Sequence, residues 1–280
     1  DKTPKNVFET QTGLTAYSDA EWRFYKLKDN VGNNASDPFD EYPTFSNLSV
    51  LTPGRAFLLI LRTGAVIKTG PGSLLMAEDY NKTGIALDAG YNFVGNPFAF
   101  DILKDSLRLA DGSSLTGKSA AFIGTGGDQS GWRLNPDTLK AWEGWVVKVS
   151  SATSLRFNIA DRPASTAYPL AARSVAGDQA GPSWRIRVDA ERKDNGVYDR
   201  GNVIGIDGAA AEGDDEFDMF EPPLIGSGAV SLGFETPDGV NAYDVRSNRE
   251  TERVWTMVLR TPEPRIEVTL RLTGIGTTGQ

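Results

Sequence analysis

Trp184-Arg185-Ile186-Arg187-Val188 alternates apolar and charged side chains at every step, and Arg265-Ile266-Glu267-Val268-Thr269-Leu270-Arg271-Leu272 keeps the same two-residue period. That period sends alternate side chains to opposite faces of an extended chain, so both stretches read as strands with one dry and one wet face. Outward from them, Arg55-Ala56-Phe57-Leu58-Leu59-Ile60-Leu61-Arg62 and Gly144-Trp145-Val146-Val147-Lys148-Val149 are short apolar runs of the kind that fill buried strands. The 30 glycines and 15 prolines break the chain into such short pieces. Nothing reads as a long amphipathic helix; Asp101 to Leu109 reads as a helical turn or two. The chain is expected to be all-β.

Composition shifts between Arg156 and Ala180, where Ala, Ser, Pro, Asp and Gly dominate, and this stretch reads as a connector. Two β modules are expected: residues 1–175, β-rich, and residues 176–280, an antiparallel β-sandwich. The first carries a candidate internal duplication. Glu21-Trp22-Arg23-Phe24-Tyr25 leads to Leu51-Thr52-Pro53-Gly54-Arg55-Ala56-Phe57-Leu58-Leu59-Ile60. Gly131-Trp132-Arg133-Leu134 leads in the same way to Leu139-Lys140-Ala141-Trp142-Glu143-Gly144-Trp145-Val146-Val147.

The 280 residues include no histidine and no cysteine. A Ser-His-Asp triad, a Cys-His pair, a His- or Cys-ligated zinc and a thiol redox centre all need one of the two. The net charge of −8 opposes phosphate backbones, so no nucleic-acid partner is expected. No apolar run approaches the roughly 20 residues of a membrane-spanning helix, so no membrane insertion is expected. The chain starts at Asp1 without a signal-peptide pattern and reads as a mature or excised piece of a longer protein.

Gly112-Ser113-Ser114-Leu115-Thr116-Gly117-Lys118-Ser119 matches the phosphate-binding loop pattern letter for letter. Such a loop works only where a helix begins at its Lys-Ser. Here Ala120-Ala121-Phe122-Ile123 runs straight into Gly124-Thr125-Gly126-Gly127, so the match reads as a glycine-serine turn between strands. Ile123 to Gly127 likewise lacks the spacing of a dinucleotide loop.

The acidic segment Gly213-Asp214-Asp215-Glu216-Phe217-Asp218 is the candidate cation site, because calcium takes several oxygen ligands from a flexible loop. Asp194-Asn195-Gly196 and Asp199 add a second acidic turn upstream. Candidate metal ligands are thus Asp194, Asp199, Asp214, Asp215 and Asp218; the competing reading is a solvated acidic loop. Of the 6 tryptophans, Trp22, Trp132, Trp145, Trp184 and Trp255 sit in strand-like runs and read as core. Trp142, beside a turn, is the one expected to be exposed and is the candidate ligand-binding residue. A glycosidase needs only two carboxylates, which 37 acidic residues supply without singling out a pair.

Asp88-Ala89-Gly90-Tyr91-Asn92-Phe93-Val94-Gly95-Asn96-Pro97-Phe98 resembles the G-W-N-x-I-G-N-P-F element of C-terminal regions in large secreted or surface proteins. Those proteins come from Bacteroidetes and related phyla, and many are exported by type IX secretion. In that pattern the element lies between two strands, which resemble Pro53 to Ile60 and Leu139 to Val147 here. Asn202 to Ala209, Gly213 to Asp218 and Glu221-Pro222-Pro223 are similar to the D-x-x-D-x-x-E-P-P stretch of the same regions. Tyr91 stands where Trp is usual.

The resemblance implies a non-catalytic β module, secreted or on the cell surface, serving as spacer or adhesion element beside other domains of its parent protein. It carries over no catalytic residue. Two alternatives stay open: a carbohydrate-binding module, with polysaccharide as partner and calcium assisting, and a glycoside hydrolase using a carboxylate pair. The motif residues also have structural work to do. Gly90 and Gly95 relieve crowding at turns, Asn92 and Asn96 bond local backbone, and Glu221-Pro222-Pro223 stiffens the approach to a strand.

Overall fold

The computed structural model describes residues 3–14, 16–18, 20–28, 38–42, 51–69, 84–123, 131–157, 183–215, 217–224, 229–249 and 252–276. It is an all-β protein, sandwich-like in character, with a short helix at Asn6–Gln11. The chain divides into two compact units: Asp1–Ile123 with Asn135–Phe157, and Gly124–Leu134 with Asn158–Gln280. Most of the connector, with residue 175 in it, lies outside the described residues.

In the first unit, β1 (Trp22–Leu27) pairs antiparallel with β2 (Phe39–Glu41) and β3 (Leu58–Leu61). The short helix presents Val7 and Phe8 to this sheet, and Phe8 meets Trp22 and Phe24 at ring distances of 5.8 and 5.1 Å. Burying each of these aromatics stabilises by roughly 1.5–3 kcal/mol. Further along come β4 (Ile85–Leu87), β5 (Gly90–Gly95), β6 (Ile102–Leu103), β7 (Leu107–Leu109) and β8 (Ser119–Phe122), while β9 (Trp132–Leu134) falls in the second unit. Next are β10 (Thr138–Leu139), β11 (Gly144–Val149) and β12 (Thr153–Phe157). Strand β11 lies between β5 and β8, β12 between β4 and β7, and β10 pairs with β6.

One sequence expectation changes here. Asp101 to Leu109 is mostly strand: a single 3₁₀ turn, Lys104–Ser106, separates β6 from β7. The two candidate repeat copies also differ in pairing, since β1 pairs directly with β3 whereas β11 pairs with β5 and β8. At the phosphate-loop match, Gly112 sits at φ +85 in the turn after β7, and Lys118 leads into strand β8. A strand leaves no helix N-terminus to cradle a phosphate.

The second unit holds β13 (Trp184–Arg192), β14 (Tyr198–Ile206), β15 (Met219–Phe220), β16 (Ser231–Thr236), β17 (Gly239–Arg246), β18 (Met257–Arg260) and β19 (Val268–Gly276). They form one sheet in the order β18-β16-β17-β14-β13-β19, with β15 added on β17. Every ladder in it is antiparallel except β14 with β17. A parallel pair cannot be closed by a hairpin. The chain therefore crosses over between Ile206 and Gly239, and the acidic segment lies on that crossover. Val188 and Ala190 from β13 pack with Val230, Leu232 and Phe234 from the opposite end of the sheet. Trp132 belongs to this unit too, donating from its indole N–H to the carbonyl of Pro223 at 3.2 Å. Composition alone does not reveal that excursion of the chain.

The motif around Asn92 is explained by local geometry. Asn92 is 4% exposed; its Oδ1 accepts from the Asp88 N–H, and its Nδ2 donates to the carbonyls of Asp88 and Gly90. Gly90 stands at φ +96, and a Cβ on Gly95 would meet the Arg55 carbonyl oxygen at 2.9 Å. Asn92→Ala leaves three backbone groups short of a partner and is expected to cost about 2–3 kcal/mol. Equilibrium urea unfolding measures this, and an unchanged midpoint would show that the turn does not depend on the side chain.

Candidate functional site

Each aspartate of the acidic segment is turned onto a donor. Asp214 Oδ1 accepts from Asn241 Nδ2 at 2.8 Å. Asp215 takes the Ala211 N–H on Oδ2 at 2.6 Å and the Phe217 N–H on Oδ1 at 2.7 Å. Asp218 takes the Val245 N–H on Oδ1 at 2.9 Å and the Asp215 N–H on Oδ2 at 3.0 Å. A loop that crosses from one strand to a distant parallel neighbour has backbone donors without ladder partners, and short acidic side chains satisfy them. Through Asp218 the crossover is bonded to the backbone of β17.

The two other candidate ligands lie elsewhere. Asp194, in the turn after β13, receives a two-pronged bond from Arg192, Nε to Oδ1 at 3.0 Å and Nη2 to Oδ2 at 2.6 Å. Asp199 is fully buried and accepts the Leu232 N–H at 2.5 Å. Among the described residues no three acidic side chains converge in a way that would hold a metal ion. Glu216 lies outside the described residues. An open depression of about 210 Å³ borders the crossover, lined in part by Glu212, Asp214, Asp218, Asp238, Asp244 and Arg246. Much of its charge is already compensated. Arg246 forks onto Asp244 at 3.0 and 2.7 Å, and Arg253 forks onto Glu212 at 2.5 Å on each oxygen.

Sequence reasoning missed the second buried acid. Glu221 is 3% exposed and accepts from Ser231 Oγ at 2.6 Å, one residue before the Leu232 amide that Asp199 takes. Burial raises both carboxyls well above their ordinary range, and the Asp199 charge raises Glu221 further. Asp218 is pushed up to about 7 by burial, against its two backbone donors. The one signal in the sequence was an acid set between Met219-Phe220 and Pro222-Pro223, an apolar neighbourhood. Neither Asp199 nor Glu221 lines the depression beside the crossover. Enclosed carboxyls bonded to backbone and hydroxyl donors do structural work, whereas a glycosidase pair must face its substrate.

In the first unit, Trp142 occupies the turn between β10 and β11 at φ +68 and is 83% exposed. A bulky residue with positive φ is a backbone outlier, which persists only where its surroundings impose it. The turn is braced by Glu143 N–H to the Lys140 carbonyl at 3.1 Å, and by Ala141 N–H to Asp101 Oδ1 at 2.9 Å. That second bond ties it to the loop of Phe100, itself 45% exposed and stacked on Phe98 at 5.2 Å. Trp22, Trp132 and Trp145 are buried, as their runs predict. Trp184 and Trp255 are half-buried and pack edge to face at 5.7 Å.

The geometry defines an all-β, two-unit protein with an acid-stitched crossover in one unit and a displayed tryptophan in the other. No family model matches the chain, and no curated protein or solved structure matches it. No helix among the described residues is long and apolar enough to cross a membrane.

The raised carboxyls have a sign that can be checked. Their folded-state values lie above the unfolded ones, so the folded chain binds more protons. The stability they contribute is complete below about pH 4 and is lost as pH rises through the raised values. Glu41, Asp194 and Glu212, held low by Arg23, Arg192 and Arg253 respectively, titrate below that window. The melting temperature of the second unit is therefore expected to fall from about pH 5 to about pH 8. Asp199→Asn, which keeps an acceptor for Leu232, is expected to flatten the slope. Thermal melts across that range decide it, and a rising melting temperature would contradict the assignment.

Proposed function

We propose that the chain is a non-catalytic interaction module of a secreted or cell-surface bacterial protein, a spacer or adhesion element working beside other domains of its parent. One observation carries this reading: the acids that stand out in the sequence are committed to the fold. Asp214, Asp215 and Asp218 stitch the crossover, Asp199 and Glu221 hold the start of β16, and Asp194 binds Arg192. Asn92 and Asn96 are similarly occupied, Asn96 Nδ2 donating to the carbonyls of Phe100 and Leu139. The resemblance to C-terminal modules of exported Bacteroidetes proteins agrees with motif residues that build turns and crossovers.

A second reading, a carbohydrate-binding module, is favoured by Trp142. A flat aromatic displayed on a braced turn offers a face to the C–H side of a sugar ring, and Phe100 adds apolar surface on the adjoining loop.

Retention of the purified chain on immobilised polysaccharides, with calcium and with chelator, separates the readings. The interaction-module reading expects no retention. Retention abolished by Trp142→Ala at unchanged stability would replace it with the glycan reading. Retention lost under chelator would bring in calcium and the segment Asp214–Asp218.

A further inference from the structure

Among the described residues, strand β19 is an edge of its sheet, hydrogen-bonded to β13 along one side only. Its register sets Leu270 opposite Ala190 and Leu272 opposite Val188. Ala190 and Val188 are fully buried core residues, and directly opposed residues in an antiparallel ladder share a face. Leu270 and Leu272 therefore belong to the core-side face, yet they are 38% and 63% exposed. Among the described residues no element covers this end of the core face.

Edge strands are ordinarily blunted by lysine, proline, a bulge or shortness. Val268–Gly276 has nine residues, no lysine and no proline, and its ladder with β13 runs without a register shift. Its charged side chain, Arg271, leans back toward Glu191 on its own sheet at 3.5 Å. At the opposite edge β18 also shows apolar side chains, Met257 at 47% and Leu259 at 44% exposed, but over four residues only.

We propose that β19 pairs with β19 of a second copy of this chain, edge to edge and antiparallel, centred on Leu270. The strand's own pattern suits a second copy. A two-fold between residues would set apolar against polar positions and flip the faces. A two-fold at Arg271 would set Arg271 against itself. The two-fold at Leu270 sets Leu270 opposite Leu270 of the second copy, Val268 opposite Leu272 and Thr269 opposite Arg271. Apolar side chains then meet on the core side, with no like charges directly opposed. The contact is isologous, so it closes at two copies. It continues the sheet through main-chain bonds and covers the exposed leucines. The inference deepens the interaction-module reading by naming a partner, and rests on that reading.

The test uses the full chain, which lacks cysteine, so one introduced thiol reports one contact. Opposed side chains across an antiparallel pair lie within disulfide reach. Light scattering after size exclusion, at tens of micromolar, is expected to give twice the chain mass. Leu272→Lys is expected to halve that mass while far-UV circular dichroism stays unchanged and the thermal melt stays cooperative, since Leu272 is largely exposed. Under mild oxidation Leu270→Cys is expected to form the covalent dimer far faster than Val254→Cys, whose site is 80% exposed but off β19. A monomeric parent chain overturns the proposal, as does a dimer indifferent to Leu272→Lys or equal crosslinking of the two cysteine variants. None of these outcomes depends on polysaccharide retention, so this pairing and the module reading fail separately.

Discussion

Strand β13 is hydrogen-bonded along its whole length to β19 and over most of it to β14, and the second unit depends on that double ladder. A strand paired on both sides satisfies its backbone without water, so its side chains are free to separate the faces cleanly. Val188 and Ala190 go to the core, while Arg187, Asp189 and Glu191 stay at the outer surface. The ladder also sets which side of β14 and β19 faces inward. A bulge between Val188 and Ala190 shifts the register with β14 and lets Asp199 turn inward opposite Ala190.

The parallel ladder between β14 and β17 has a cost of its own. Its crossover carries backbone donors that no neighbouring strand can take, and buried donors left unpaired cost about 1–3 kcal/mol each. Aspartates at 215 and 218 supply the acceptors, and an inward Asp199 and Glu221 do the same near the start of β16. The acids nearest the core hold protons more tightly in consequence, because burial disfavours their charged form. The acidic segment that suggests a cation site in sequence also supplies hydrogen-bond acceptors to the crossover. In the first unit the same economy is seen in neutral side chains, where Asn92 and Asn96 close the turns around β5.

Much of this was legible in the residues. The two-residue alternation of Trp184–Val188 and Val268–Leu272 identified β13 and β19, and the apolar run Gly144–Val149 identified β11. The glycines that follow Ile123 leave no room for a helix at Lys118, which disqualifies the phosphate-loop pattern from sequence alone. Trp142 was separable from the core tryptophans because it alone stood beside a turn. Glu221 was not legible as a buried acid, since only its apolar neighbours hinted at it. Asp194 and Asp199, close in sequence, are grouped as ligands by the sequence reading, yet Asp194 sits at the surface forked onto the buried Arg192 and Asp199 lies inside the core. A strand sends neighbouring positions to opposite faces, and sequence proximity does not say which carboxylates meet.

Sequence alone determined the class of fold, because side-chain period and the scatter of glycine and proline are local properties. It also limited the chemistry, since without histidine or cysteine whole classes of site have no ligand or nucleophile. Tertiary structure decided the parallel ladder, the passage of Trp132 into the second unit, the pairing of each acid, and the exposure of Leu270 and Leu272. These are non-local facts. Strand order and register arise from long-range pairing, and whether an apolar position is covered depends on an element far away in the chain or on another molecule.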